Sequence, residues 1–212
     1  MIYDTINPVI LRFIFQDIKP GDKILDIGCG TGKLGNAVKK RLECRVTGIE
    51  LDAPAAKTAS EIYDEVIIMD LEGLARGTAA ISQDEKFDFI VFGDVLEHVT
   101  CPEFLLKYFS RLLNDEGILI ASIPNVSNWM IRLRLLFGNF DFSGGILDKG
   151  HLKFFTYKTA RELLLDSGLD IVSVLNNNAT LPLRILGRIW MKMFAFQFVF
   201  KCKKNTSNLK SR

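Results

Sequence analysis

The sequence has little net charge and few cysteines, and each scarcity argues against a class of protein. Among 212 residues there are 27 Lys and Arg against 25 Asp and Glu, which gives a net charge of +2. This charge offers no argument for a nucleic-acid partner of the whole chain. The four cysteines form no CxxC pair and have no histidine at ligand spacing, which disfavours a zinc site and a disulfide framework. We therefore expect a cytoplasmic protein without a bound metal.

The sequence also lacks a run of the ~20 apolar residues that a membrane-spanning helix needs. The apolar N-terminal stretch contains Asp4 and Arg12 and has no small-residue cleavage site, so it is a poor signal peptide. We interpret residues 1–20 as an amphipathic helix. Length and composition predict a single domain over residues 1–204, followed by a disordered polar tail over 205–212.

A basic stripe lies near the C-terminus. On a helix over residues 182–193, the side chains of Arg184, Arg188 and Lys192 would recur every four residues, opposite apolar ones. A solvated edge of a covering helix has this pattern more commonly, but an interfacial helix on an anionic membrane has it as well. A weak peripheral membrane contact therefore stays open.

Short apolar runs alternate with segments of helical periodicity along most of the chain. Strands separated by helices are typical of βαβ units and a mostly parallel sheet, and the short last connection leaves room for an antiparallel final strand. Thr156 is placed to cap the last clear helix, and Gly168 to follow its end. The predicted strands are 23–28, 44–51, 64–71, 86–95, 117–124, 169–175 and 195–203, and the clearest helices are 31–43, 53–63, 102–113 and 156–168.

Four glycines lie within residues 24–35, ILDIGCGTGKLG, directly after the first predicted strand. The first βα turn of an open α/β sheet is a usual ligand site, and glycine there lets the backbone turn sharply and approach a ligand. The segment GTGKLG matches the dinucleotide fingerprint GxGxxG, which is weak evidence alone. The segment DIGCGTG reads as acid-x-G-x-G-x-G and fits the strand end better. The glycine loop can therefore be aligned in two registers, and each register predicts a different class of ligand.

The acid before the glycines favours the second register. Asp26 would repel a pyrophosphate but suits a ligand with a positive charge, such as a sulfonium or an amino group. Glu50 ends the second predicted strand, where an acid about 20 residues after the glycine loop accepts hydrogen bonds from ribose hydroxyls. Asp70 ends the third strand and is placed to accept from an adenine amino group. Each acid alone has a plain alternative as a solvated loop carboxylate, but together they predict a nucleoside ligand.

These segments resemble the motifs of class I S-adenosylmethionine-dependent methyltransferases. LDIGCGTG resembles the first motif, GIELD the second, MDLE the third and FDFIVFGDVLEHV the fourth, and NDEGILIASIPN follows the pattern after it. The resemblance covers roughly residues 20–203. It implies an α/β, Rossmann-like sheet of seven mostly parallel strands in the order 3-2-1-4-5-7-6, with strand 7 antiparallel and helices on both faces.

The resemblance also implies that S-adenosylmethionine is the cofactor. It places the backbone of the glycine loop near the methionine part, an acid on the ribose, and the ends of strands 3 and 4 beside the adenine and the methionine, respectively. Within that loop, Cys29 is either a reactive thiol near a helix N-terminus or, more plainly, a small residue packed under the loop. The predicted donor-binding residues are Asp26, Gly28, Cys29, Gly30, Gly32, Glu50, Leu51, Asp70, Leu71, Gly93 and Asp94.

A further segment, residues 144–164, resembles one common in methyltransferases of sugars, polysaccharide precursors and lipid-linked or natural-product acceptors. It implies transfer to a hydroxyl or amine of a small-molecule, sugar or lipid-linked acceptor, in preference to protein or nucleic acid. We expect residues 125–155 to form a lid over that acceptor. Its aromatic residues would either enclose the acceptor or pack within the lid; they are Trp129, Phe137, Phe140 and Phe142.

Only two histidines are present, and both are candidate catalytic bases. His98 follows the fourth predicted strand on the ligand side, and an imidazole has a suitable pKa for accepting a hydroxyl proton. His151 lies in the predicted lid. An ordering role in its loop is the alternative for each. Two other functions stay open at this point, namely an NAD-dependent oxidoreductase that uses the other glycine register and a non-catalytic nucleoside-binding module, and the oligomeric state also stays open.

Overall fold

The computed structural model describes residues 6–79, 81–82, 84–142, 144–177 and 190–205. Its centre is a seven-stranded sheet in the order β3-β2-β1-β4-β5-β7-β6. The first five strands pair in parallel, whereas β7 runs antiparallel to both of its neighbours. The expected topology is therefore confirmed. The strands are β1 Lys23–Ile27, β2 Arg45–Glu50, β3 Glu65–Ile68, β4 Phe87–Gly93, β5 Leu113–Pro124, β6 Leu169–Asn177 and β7 Gln197–Lys204.

Local capping explains where several helices begin. The first helix starts at Pro8, and the side chain of Asn7 accepts a hydrogen bond from the amide of Val9. As predicted, Thr156 caps the seventh helix, and Gly168 follows its end with a φ of +80°. The helices are α1 Pro8–Asp17, α2 Lys33–Lys39, α3 Ala53–Ala59, α4 Leu71–Ala75, α5 Pro102–Ser110, α6 Trp129–Leu136, α7 Tyr157–Asp166 and α8 Met191–Phe194, with a short 3₁₀ turn at Leu96–His98.

The sheet buries both of its faces, which is why its strands are nearly continuous apolar runs. Alternate residues of β4 point to opposite faces. Phe92 packs with Phe109 of α5 in one apolar cluster, whereas Phe89 packs with Phe13 of α1 in the other. Helices α4, α5 and α7 cover the first face, and α1, α2 and α3 cover the second.

Several predicted boundaries differ from the structure. The third strand ends at Ile68 because Asp70, predicted within it, is the N-cap of α4. The fifth strand begins at Leu113, earlier than predicted, with a register shift opposite β4. The range 178–189, which carries Arg184 and Arg188 of the basic stripe, lies outside the described residues, and so does most of the predicted tail. Among the helices that the structure describes, none has the length and apolar character to cross a membrane.

Candidate active site

The carboxyl ends of β1, β2 and β4 open onto one cavity of about 760 Å³. This volume lies within the range of about 300–1,000 Å³ that is usual for small-molecule sites. The start of α1 contributes Ile6, Asn7 and Ile10 to the cavity wall. Of the predicted donor-binding residues, all but Gly32 line the cavity within the described part of the chain.

The glycine loop turns directly at the end of β1. Gly28, Gly30 and Gly32 all have positive φ values, between 54° and 82°. A Cβ atom on Gly28 would lie 2.8 Å from Cγ2 of Val95. The loop therefore needs glycine both for its backbone conformation and for its contact with the segment after β4.

A buried tyrosine, Tyr63, explains why two other positions need glycine. A Cβ atom on Gly35 would lie 2.2 Å from the ring of Tyr63, and one on Gly48 would lie 2.8 Å from the same ring. In the dinucleotide register Gly35 is the third fingerprint glycine, but here the space beside it is filled by Tyr63. These two glycines therefore make room for a side chain of the protein.

Tyr63 also holds the acid of the glycine loop. Its hydroxyl donates a 2.6 Å hydrogen bond to Oδ2 of Asp26 and accepts one of 3.0 Å from the amide of Gly35. Burial raises the pKa of the Asp26 carboxyl to about 7; the Tyr63 hydrogen bond lowers it, and the charge of Glu50 raises it. A cationic group bound nearby would favour the ionised carboxylate. No local pattern in the sequence marks Tyr63, so sequence reasoning missed it.

The Cys29 thiol is buried within the glycine loop. Burial raises its pKa to about 12, and the charges of Asp26 and Glu50 act in the same direction. Its Sγ atom would be 2.6 Å from a Cβ atom on Gly48, so it packs closely against β2. The geometry supports the packing role for Cys29, since a reactive cysteine needs an accessible thiolate.

Glu50 links the glycine loop to the end of β2. Its Oε2 accepts a 2.8 Å hydrogen bond from the amide of Gly30, and its Oε1 accepts from the amides of Leu51 at 2.8 Å and Asp52 at 2.9 Å. A carboxylate has about four acceptor positions, and three of them are used here. Glu50 therefore shapes the loop itself and keeps part of its capacity for the predicted ribose contact.

Asp70 lines the cavity and caps α4. Its Oδ1 accepts from the amide of Glu72 and its Oδ2 from the guanidinium of Arg76, each at 2.9 Å. These two hydrogen bonds leave fewer acceptor positions on the Asp70 carboxylate for the predicted contact with an adenine amino group. Leu51 and Leu71 line the same cavity, and Leu51 is 66% exposed. They add apolar surface to the cavity wall.

Asp94 follows β4 with a φ of +57°, in the left-handed region. Its Oδ1 accepts a 2.7 Å hydrogen bond from Ser122 on β5 and another from the amide side chain of Gln197 on β7. The Gln197 oxygen in turn accepts from Asn7 at 2.7 Å, which ties the start of α1 to the site. Burial raises the pKa of the Asp94 carboxyl, while the Ser122 hydrogen bond lowers it. These partners come from distant strands and were not predicted.

The two histidines lie side by side, with ring centroids 4.7 Å apart. Nδ1 of His98 is 3.0 Å from the carbonyl oxygen of Gly150, and Nδ1 of His151 is 2.9 Å from that of Ile146. Because a carbonyl only accepts, we assign the proton to Nδ1 in each ring, and the neutral ring then has Nε2 as its acceptor. His98 lines the cavity, whereas His151 is mostly buried behind it.

Backbone hydrogen bonds hold this arrangement together. The carbonyl oxygen of Glu97, in the 3₁₀ turn, accepts from the amides of Leu152 at 2.8 Å and Lys153 at 3.0 Å. These bonds dock the loop before α7 onto the turn after β4. From that loop, Asp148 and Gly150 reach the cavity wall.

Glu97 is the most deeply buried member of this group. Its side chain is 1% exposed, and neither carboxylate oxygen has a hydrogen-bond partner among the described residues. Oε1 lies 4.0 Å from Nε2 of His151. Burial raises the pKa of the Glu97 carboxyl well above its usual value, and the charge of Asp94 raises it further.

The predicted lid differs in detail from the structure. Phe137, Phe140 and Phe142 are 71%, 43% and 48% exposed, respectively. Neither these rings nor Trp129 of α6 line the cavity in the part of the chain that the structure describes. The lid segment meets the cavity through its later residues, near His151, and the aromatic rings do not enclose an acceptor here.

Comparisons with known proteins agree with this geometry. A family model described as a methyltransferase domain matches residues 4–174. A ubiquinone biosynthesis O-methyltransferase of Idiomarina loihiensis is 34% identical over 131 residues, which cover 59% of this chain and 54% of that protein. The chain thus spans about half the length of several curated relatives that it matches.

Two further comparisons extend over most of the chain. An uncharacterized protein of Methanocaldococcus jannaschii is 27% identical over 221 aligned residues, covering 92% of this chain and 82% of that protein. The crystal structure of magnesium protoporphyrin IX methyltransferase from Synechocystis, with bound SAH, has a TM-score of 0.66 at 17% identity. It covers 93% of this chain and 81% of that one, and at this identity the likeness shows the fold.

Proposed function

The chain belongs to the class I S-adenosylmethionine-dependent methyltransferases, and on this premise we propose that it methylates a hydroxyl group of a small-molecule acceptor. The observation that carries the choice of a hydroxyl is the fixed His98 ring in the cavity wall. Gly150 holds Nδ1 of that ring, so Nε2 is the nitrogen that can accept a proton. A hydroxyl must lose its proton in the transfer, whereas a neutral amine attacks without prior deprotonation.

The cavity suits the donor that this family uses. S-adenosylmethionine supplies a methyl group on a positively charged sulfur. Gly28 and Gly93 keep the cavity wall free of side chains, and Glu50 presents acceptor oxygen at the position expected for the ribose. Asp26 supplies a buried carboxyl that a cation would ionise. The protein's contribution is to orient the two reactants and exclude water.

The named relatives support an oxygen acceptor. Several of them are ubiquinone biosynthesis O-methyltransferases that are 30–34% identical to this chain over 122–132 residues. We therefore place a phenolic hydroxyl on a prenylated ring first among acceptors. Sugar and other lipid-linked hydroxyls come next.

A methyl-transfer assay with labelled donor tests the proposal. Its acceptors are a prenylated catechol, a sugar nucleotide and a primary amine, and its products are identified by mass spectrometry. We expect a methyl ether, and we expect His98→Asn to lower kcat by about 100-fold with donor binding retained. Cys101→Ser is the matched control, because Cys101 is exposed and does not line the cavity. Methylation of the amine alone would refute the proposal.

A further inference from the structure

We propose that Glu97, His98 and His151 form a binding site for one divalent transition-metal ion at the acceptor end of the cavity. Each side chain offers one ligand atom, and these atoms all lie within 4.8 Å of one another. We call these three residues the His–Glu cluster. Sequence spacing gave no sign of it, because the two histidines are far apart in the chain.

The ligand atoms must move closer together to hold one ion. Ligand atoms that each lie about 2.1 Å from a tetrahedral ion are about 3.4 Å apart. Oε1 of Glu97 and Nε2 of His151 are 4.0 Å apart, and the ligand atoms of the cluster all lie within 4.8 Å of one another. Each separation must therefore shorten by about 0.6 Å to about 1.4 Å, which requires side-chain rotation and a small movement of the loop.

Both rings are oriented as metal-binding histidines usually are. A ligating imidazole commonly donates its other N–H to a backbone carbonyl or a carboxylate, which fixes the ring and its tautomer. Here the carbonyl oxygens of Gly150 and Ile146 each hold one Nδ1, so the two Nε2 atoms are the ligand atoms.

Glu97 gives the strongest independent argument. A buried carboxylate with no partner is costly, and proteins normally pair it, protonate it or use it to bind a metal. Neither oxygen of Glu97 has a hydrogen-bond partner among the described residues, although Oε1 lies 4.0 Å from Nε2 of His151, and the half-buried acid Asp94 stands three residues before it. A divalent cation at the His–Glu cluster would neutralise these charges. The competing explanation is a permanently protonated, metal-free Glu97.

The ligand set restricts the kind of ion. Two imidazole nitrogens and one carboxylate oxygen suit Zn²⁺, Fe²⁺ or Co²⁺ better than Mg²⁺ or Ca²⁺, which prefer oxygen ligands. Three protein ligands leave coordination positions open, as in catalytic metal sites. Among the described residues, His98 is the member of the cluster that lines the cavity, beside Asp148 and Gly150, so a small molecule in the cavity would approach the ion from this side.

This placement gives the ion a role in the proposed reaction. A metal ion lowers the pKa of an oxygen that it binds and fixes the position of that oxygen. The ion would therefore select acceptors with a hydroxyl, especially adjacent hydroxyls. Without the ion, His98 is the base of the proposed function; with the ion bound, Nε2 of His98 is a ligand and the ion lowers the pKa of the hydroxyl in its place. This role rests on the proposed function, whereas metal binding does not.

Metal binding is measured on the full chain without a histidine tag, after removal of metals with EDTA. Equilibrium dialysis with Zn²⁺ gives the stoichiometry, and the visible absorption of added Co²⁺ reports its ligands. We expect one ion per chain, a Co²⁺ spectrum without thiolate charge transfer, and an affinity at least about 100-fold lower in Glu97→Gln and His98→Asn. Cys101→Ser is the matched control and should bind like the unmodified protein.

Each result decides the inference. Absence of bound Zn²⁺ and Co²⁺, or equal binding by Glu97→Gln and His98→Asn, would overturn the metal site. Thermal unfolding checks that the variants fold, and His98→Asn, at the half-buried ring, carries the test if Glu97→Gln does not fold. An ion at the His–Glu cluster with no transfer to any hydroxyl would refute the proposed function and leave the site. Hydroxyl methylation without any bound ion would refute the metal site and leave the proposed function.

Discussion

Replacing Tyr63 by Phe removes a single oxygen atom from the buried wall behind the glycine loop. The ring stays, so the space beside Gly35 and Gly48 remains filled. Two hydrogen bonds are lost, one of 2.6 Å to Asp26 and one of 3.0 Å from the amide of Gly35. The variant therefore separates the polar role of Tyr63 from its packing role.

The magnitude follows from these two bonds. A hydrogen bond to a charged group contributes about 1.5–3 kcal/mol, and a buried amide left without a partner costs about 1–3 kcal/mol. Because Asp26 is protonated part of the time near neutral pH, we take the lower half of this range. We expect a loss of about 2–4 kcal/mol in the free energy of unfolding. For a chain of this length, this corresponds to a fall of about 4–16 °C in Tm.

Donor binding should change as well, in a direction that the pKa of Asp26 sets. The folded-state pKa is about 7, so Asp26 ionises as the pH rises through neutrality. A donor with a positive charge favours the carboxylate, so its affinity should increase from about pH 6 to about pH 8. The Tyr63 hydrogen bond lowers this pKa, so Tyr63→Phe should move the midpoint of the affinity curve to higher pH.

Stability has the opposite dependence on pH. Since the folded pKa of Asp26 is raised, the folded state binds more protons than the unfolded chain between about pH 4 and pH 7. The Asp26 contribution to stability is therefore largest below 3.8, the ordinary pKa of an aspartate, and is lost as the pH rises to about 7. This dependence separates the stability of the loop from its affinity for the donor.

The assays are calorimetric titration with S-adenosylmethionine at several pH values and thermal unfolding. Tyr108→Phe is the matched control, because the Tyr108 hydroxyl also bonds a backbone group, at Ile81, but lies away from the cavity. It should lower Tm without moving the affinity midpoint. An unchanged midpoint in Tyr63→Phe would show that Asp26 is not the group whose ionisation controls donor affinity.

Two further predictions concern the same loop. Glu50→Ala removes the acceptor of the Gly30, Leu51 and Asp52 amides. It should weaken donor binding by about 10- to 100-fold, because a carboxylate hydrogen bond contributes about 1.5–3 kcal/mol. Unchanged affinity in the calorimetric titration would exclude the ribose contact. Burial raises the pKa of Cys29 to about 12, so Cys29 should resist iodoacetamide at neutral pH while the exposed Cys101 reacts. Peptide mass spectrometry after timed alkylation measures both rates, and faster labelling of Cys29 than of Cys101 would contradict the prediction.

The grouping of the predicted residues around one cavity could be expected from sequence for a simple physical reason. Asp26, Gly28 and Glu50 stand at or next to the ends of consecutive parallel strands, and those ends meet at one edge of the sheet. Residues at the ends of neighbouring parallel strands are therefore close in space even when they are about 20 positions apart in the chain. The family resemblance added the strand order, which the structure confirms.

Some features followed from neither pattern nor spacing. Tyr63 closes the back of the glycine loop, and Gln197 reaches Asp94 from the far end of the chain. These contacts depend on how α3 packs and on the insertion of β7 beside β5. When a side chain packs against or bonds to an element that is distant in the chain, the hydrophobic periodicity of its own segment does not indicate that contact.

The sequence by itself determined the sheet, the glycine loop and the acids at the strand ends, because strand periodicity and turn chemistry are local properties. Only the tertiary structure brought His151 against His98 and buried Glu97 beside them. That encounter depends on a long loop whose amides bond to the Glu97 carbonyl oxygen. Long-range docking of this kind is decided by the free energy of packing and hydrogen bonding across the whole fold, so the His–Glu cluster became visible only in three dimensions.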